Sequence, residues 1–171
     1  MSQDADQEGM NVYLLTVSDR AHRGEREDRS GPAAAEALEQ AGFVLAGSSI
    51  IPDGRDEVAA ALDDAIATGP SVILTLGGTG AGPRDETPEG TRPNIDRELP
   101  GIAEGLRADG SRTVPTAVLS RGLAGISRPS RSGHRAVLVN LPGSPGGARD
   151  GVRYLAGLLP HLVDQVRGGD H

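Results

Sequence analysis

The sequence predicts an α/β protein: a mostly parallel central sheet covered by helices on both faces, three layers in all. Three observations carry this. Apolar, β-favouring runs at 12–17, 43–51, 72–76 and 136–141 are separated by stretches with helix start and stop signals. The first and third runs are continuously apolar, the pattern of strands buried on both faces. The runs end in aspartate- or glycine-bearing loops, the side on which open α/β sheets gather ligands. A chain of 171 residues is long enough for one full core.

In order, residues 1–10 read as a disordered tail and 11–167 as one domain. Val12–Val17 is the first strand and Ser18-Asp19-Arg20 ends it. The charged stretch Ala21–Arg29 reads as a mobile loop that could fold over a bound substrate. Ser30 is a candidate N-cap for a helix that Gly42 closes. Phe43–Ile51 is the second strand, with Asp53 just past its end. Asp56–Thr68 has helical spacing of Val58, Leu62, Ala65 and Ile66, and Gly69-Pro70 stops it. Val72–Leu76 is the third strand. Thr87-Pro88-Glu89 then reads as a helix start with Thr87 as its cap, and Pro93 forces a kink or restart. A further helix begins at Pro100-Gly101, a short strand spans Leu123–Ile126, and Ala136–Leu141 is the last main strand. A glycine/proline loop at 142–147, a helix at about 148–159 and an apolar segment from Pro160 to Val166 complete the chain. The alternation predicts right-handed crossovers between parallel strands.

The stretch after the third strand carries the chemistry. Gly77, Gly78, Gly80 and Gly82 lie within six residues, where backbone N–H groups can turn toward an anion. The spacing does not fit the dinucleotide fingerprint. It is not the triphosphate loop ending in Gly-Lys-Ser/Thr either, since the chain has no lysine and all 17 basic residues are arginine. A glycine-rich turn without a ligand is the plainer reading, and Asp85 just past the glycines weighs against it. A carboxylate beside a phosphate cradle is a common divalent-metal ligand.

Composition excludes several classes. The net charge of −7 and an aromatic content of 2% argue against nucleic acid as a partner. Without cysteine there is no thiol nucleophile, disulfide or cysteine-ligated metal, and without lysine no Schiff base to a lysine side chain. No apolar run approaches membrane-span length and residues 1–10 do not resemble a signal peptide, so a cytoplasmic protein is expected. None of the four histidines shows metal-ligand spacing.

Seven motifs in order then point to a family: Thr-Val-Ser-Asp (16–19), Asp-Arg-Ser-Gly (28–31), Ile-Pro-Asp (51–53), Leu-Gly-Gly-Thr-Gly (76–80), Pro-Arg-Asp-Glu-Thr-Pro-Glu (83–89), Leu-Ser-Arg (119–121) and Asn-Leu-Pro-Gly-Ser-Pro (140–145). Over nearly all of 11–167 the chain resembles the molybdopterin adenylyltransferase family, the MogA type of bacteria and the G domain of gephyrin. The resemblance implies AMP transfer from Mg-ATP to the terminal phosphate of molybdopterin with loss of pyrophosphate, a homotrimer, and a downstream protein that inserts molybdate. It implies that Asp53 and Asp85 are the catalytic and Mg²⁺-binding carboxylates, a turn residue and a helix cap being the structural alternatives. It implies phosphate or adenylate binding by Gly77, Gly78, Thr79 and Gly80, with Ser18 and Asp19 bordering the nucleotide. Ser120, Arg121, Asn140, Gly143 and Ser144 match positions near the pterin and its phosphate, which Arg121 could grip through two N–H groups. Gly90 and Pro93 depart from the family's helix, and Arg128–Gly133 is a longer, more polar turn that reads as a surface insertion. Two other readings stay open: a molybdopterin-binding scaffold without turnover, and a nucleotide hydrolase on the same fold.

Overall fold

The computed structural model describes residues 10–169, so the tail at 1–9 and the last two residues lie outside the described residues. The elements are β1 (Asn11–Val17), α1 (Asp19–His22), α2 (Ser30–Gln40), β2 (Val44–Ile51), α3 (Arg55–Ala67), β3 (Val72–Leu76), α4 (Thr87–Thr91), β4 (Ile95–Glu98), α5 (Pro100–Ser111), β5 (Ala124–Ser127), β6 (Val137–Leu141), α6 (Pro145–Ala156) and α7 (Leu159–Val166). They form a three-layer α/β/α sandwich around one six-stranded sheet of order β2-β1-β3-β6-β5-β4. The first four strands are parallel, and β5 and β4 extend the sheet antiparallel.

Alternation along the central strands builds two cores. Val12 and Leu14 of β1, Val72, Leu74 and Leu76 of β3, and Val137, Val139 and Leu141 of β6 face α2, α6 and α7. Leu15, Val17, Ile73 and Leu138 face the opposite way, onto Val58, Leu62, Ala65 and Ile66 of α3. Every residue of β3 and β6 is buried, which is why these strands read as unbroken apolar runs. Met10, grouped in the sequence with the tail, is only 2% exposed in the first core and accepts a hydrogen bond from the Val44 N–H.

Several local expectations are corrected. Asp19–His22 is a helical turn capped by Ser18 Oγ on the Ala21 N–H, so the charged stretch is an ordered turn at its start rather than open loop. Ser30 lies inside α2. The Asp28 carboxylate does the capping, accepting from the Gly31 N–H and the Ser30 hydroxyl, both at 3.0 Å. Thr87 is the first residue of α4 and its side chain caps nothing. That helix ends at Thr91, and Pro93 falls in a 3-10 turn at Arg92–Asn94. Gly90 belongs there for packing: a Cβ would lie 2.6 Å from the Arg55 carbonyl and from Val58 Cβ of α3. Strand β4 was not expected at all. Ile95-Asp96-Arg97-Glu98 has one apolar residue because it is an edge strand, where charge discourages further pairing.

Candidate active site at the carboxyl edge

Parallel alignment brings four strand ends to one edge. Val17 pairs with Ile51, Thr16 with Leu76, and Leu76 with Leu141, so the segments after β1, β2, β3 and β6 start level with one another. Close approach of these ends demands glycine at two points. Gly77 has φ +105°, and a Cβ there would lie 2.5 Å from the Val17 carbonyl oxygen. A Cβ on Gly143 would lie 3.0 Å from Gly77 Cα. Backbone therefore packs on backbone, beneath a cavity of about 370 Å³. Ser18, Asp53, Gly77, Gly78, Asp85, Gly143 and Ser144 all line it. Ser144 also caps α6, accepting from the Gly147 N–H, so a 12-residue helix directs its positive end toward the cavity.

Asp53 is set by reciprocal hydrogen bonds with Asp19. The Asp19 N–H donates to Asp53 Oδ2 at 2.8 Å, and the Asp53 N–H donates to Asp19 Oδ1 at 3.1 Å. Arg84 closes the pair from outside, donating to both Asp19 oxygens at 3.1 Å and to the Asp53 carbonyl at 2.9 Å. That guanidinium holds the Asp19 carboxyl below the ordinary aspartate range. Asp53 moves the other way. Burial pushes its carboxyl up, the Asp19 N–H partly offsets this, and the Asp19 and Asp85 carboxylates push it further. Asp85 rests Oδ2 on the Gly82 N–H at 2.9 Å. Among the described residues no group of three or more Asp, Glu or His could hold a metal ion. Of the four carboxylates that line the cavity (Glu27, Asp28, Asp53 and Asp85), Asp53 and Asp85 are the pair on which a cation could sit, with its other ligands drawn from phosphate and water.

Other residues singled out in the sequence, Asp19, Thr79, Gly80, Ser120, Arg121 and Asn140, are not among those that line the cavity. Arg121 clamps the glycine loop: it donates to the Gly80 carbonyl at 2.8 Å and the Asp85 carbonyl at 2.6 Å, and pairs with Glu89. Its own N–H holds the Thr79 carbonyl at 2.8 Å. Arg121 in turn keeps the Glu89 carboxyl below its usual range. Ser120 Oγ accepts from the Gly122 N–H. The Asn140 side chain is buried and fully engaged, donating to the Thr75 and Thr91 hydroxyls and accepting from the Leu123 N–H, all within 3.0 Å. It ties β3, α4 and the start of β5 to β6. Conversely, Thr16, Arg26, Asp28 and Ser30 line the cavity without having been assigned a role. The signal for Asp28 and Ser30 was the Asp-Arg-Ser-Gly motif (28–31); Arg26 had none beyond its place in the charged stretch. Thr87, fully buried, has the hydroxyl of its side chain unpartnered beneath Gly78.

Comparison with known proteins is consistent with this geometry. The chain is 38% identical over 155 residues to a molybdopterin adenylyltransferase of Pyrococcus furiosus, covering 90% of this chain and 89% of that protein. It is 37% identical over 168 residues to a molybdenum cofactor biosynthesis bifunctional protein of Synechococcus elongatus, covering 95% of this chain. The chain spans about half the length (49%) of that bifunctional relative. A crystal structure of a molybdopterin biosynthesis protein from Mycobacterium abscessus superposes with a TM-score of 0.83 at 39% identity, over 91% of this chain and 95% of that one. Residues 13–161 match the MoCF_biosynth family, described as "Probable molybdopterin binding domain", and the chain belongs to that family.

Proposed function

We propose that this protein adenylylates molybdopterin. One observation carries the reading: two carboxylates on different loops, Asp53 and Asp85, face one cavity together with the glycine bend after β3 and the start of α6. A phosphate of the pterin attacks the α-phosphorus of ATP. The new P–O bond forms in line as the bond to the bridging oxygen breaks, and pyrophosphate leaves with that electron pair. A phosphate needs no activated side-chain nucleophile, so the absence of Cys and Lys is no obstacle. The work is positioning and charge neutralisation.

The chain's own contribution is geometric. The Gly78 N–H and the positive end of α6 attract phosphate oxygens, Arg121 keeps the loop in shape, and the Asp19–Arg84 pair keeps Asp53 in place. Mg²⁺ would be held by Asp53 and Asp85, two carboxylates from different loops that line one cavity, with its other ligands drawn from phosphate and water. Bound there with ATP, it would offset the charge of the phosphates. The same reading makes the protein a cytoplasmic homotrimer that passes its product to a molybdate-inserting protein. Among the described residues no helix is long and apolar enough to cross a membrane.

The test is mass analysis after mixing the purified chain with molybdopterin, ATP and Mg²⁺. Adenylylated molybdopterin plus pyrophosphate is the expected outcome. Pterin binding without that product identifies a scaffold, and ATP breakdown indifferent to the pterin identifies a hydrolase; either overturns the proposal.

A further inference from the structure

The cavity is a difficult place for a polyphosphate. Glu27, Asp28, Asp53 and Asp85 line it against only two arginines, Arg26 and Arg29. Backbone N–H groups offset part of that imbalance, and full positive charge from the protein has few sources. Arg84 is turned outward onto Asp19, and Arg121 is committed to the Gly80 and Asp85 carbonyls and to Glu89. Arg29 lies 3.9 Å from Glu27. Asp28 accepts only from neutral donors, the Thr16 and Ser30 hydroxyls and the Gly31 N–H, so its charge is not balanced by a cation.

Arg26 is different. Its backbone is held: Gly24 turns the chain at φ +73°, and the N–H groups of Glu25 and Arg26 both return to the Arg20 carbonyl, at 2.9 and 3.3 Å. Its neighbour Arg23 is paired with Glu25 at 2.9 Å. Arg26 lines the cavity, and its guanidinium makes no hydrogen bond or ion pair among the described residues. A fixed backbone carrying an uncommitted planar fork is suited to two-point contact with phosphate oxygens.

We propose that Arg26 is a substrate-binding residue whose guanidinium grips phosphate oxygens of one of the two substrates, supplying the positive charge that the Asp53–Asp85 side of the cavity lacks. This rests on the adenylyltransferase reading for the identity of the substrates. The ligand chemistry is a phosphate group, carried either by ATP or by molybdopterin, and the two are separable by experiment.

Steady-state kinetics on the full chain, varying ATP and molybdopterin in turn at fixed Mg²⁺, tests it. Arg26→Ala should raise KM for one of the two by about tenfold, the loss of a charge-assisted contact, with kcat within about twofold of the parent. Arg26→Lys should recover part of that loss, since it keeps charge without the fork. Arg23→Ala, in the same turn but paired with Glu25, should leave both KM values unchanged. The substrate whose KM moves is the one gripped. Unchanged KM values for both substrates in Arg26→Ala overturn the proposal. An equal rise in Arg23→Ala also overturns it, because the effect would then be general charge. If the parent chain makes no adenylylated product, the functional reading fails by itself. Calorimetric titration of parent and Arg26→Ala with Mg-ATP, and separately with molybdopterin, then still decides: weaker binding of either in the variant supports the role, and equal Kd values for both refute it.

Discussion

Asp85 shows why so many glycines surround one carboxylate. A Cβ on Gly80 or on Gly82 would lie 2.9 or 2.7 Å from Asp85 Oδ2, so the loop can wrap the carboxylate only with those side chains missing. One oxygen is thereby parked on the Gly82 N–H and the group is presented to the cavity. Asp85→Asn keeps an acceptor for that N–H and removes the charge. Adenylylation should fall by roughly 10²–10³-fold while the unfolding midpoint stays put; turnover near the parental rate would remove Asp85 from the mechanism. Asp53 makes the complementary case through stability. Its folded carboxyl titrates above the ordinary aspartate value, so the folded state holds the proton more tightly than the unfolded chain. Stability from this group is present at acid pH and is lost as pH rises through its folded pKa. Asp53→Asn should therefore be more stable than the parent at neutral pH, and the difference should shrink toward acid. Denaturant titrations at neutral and acid pH, without added cation, check this; a variant less stable at neutral pH would contradict it.

At the scale of elements, α3 and α4 meet through Gly90. Alanine is the better helix former by about 1 kcal/mol, but its methyl would press on the Arg55 carbonyl and Val58 at 2.6 Å. Overpacking of that kind costs about 1–3 kcal/mol, so Gly90→Ala should destabilise on balance, by up to about 2 kcal/mol in chemical denaturation. A gain in stability would show that the two helices can part freely. Strands β1, β3 and β6 were legible because neighbours and helices shield them and so they had to be apolar, whereas β2, parallel but at the sheet edge and largely exposed, was legible only because it still carries Val44, Leu45, Ile50 and Ile51. Strand β4 was not, because an edge strand needs no such pattern. The glycine loop was legible by composition, and the approach of Asp53 and Asp85 to one edge by their positions, just past β2 and just past the glycines. The buried role of Asn140 was not: a motif places a residue along the chain, whereas its side chain points toward Thr75 and Thr91, 65 and 49 residues away. The Arg84 contact to Asp19, 65 residues apart, was hidden for the same reason.

For the molecule as a whole, the proposed function asks an acidic chain of net charge −7 to take anionic substrates by local means, through N–H groups, a helix start and a few arginines. The proposed trimer predicts a sedimenting mass near three times the 17.6 kDa chain at micromolar concentration, and a monomer mass would count against it. The antiparallel strand β5 has one more consequence. Arg121, just ahead of it, reaches Gly80, Asp85 and Glu89 across 41, 36 and 32 residues of chain. The glycine loop therefore takes part of its shape from a distant segment that the antiparallel pairing holds beside β6. The shape of the cavity floor thus depends on contacts between segments far apart in the chain.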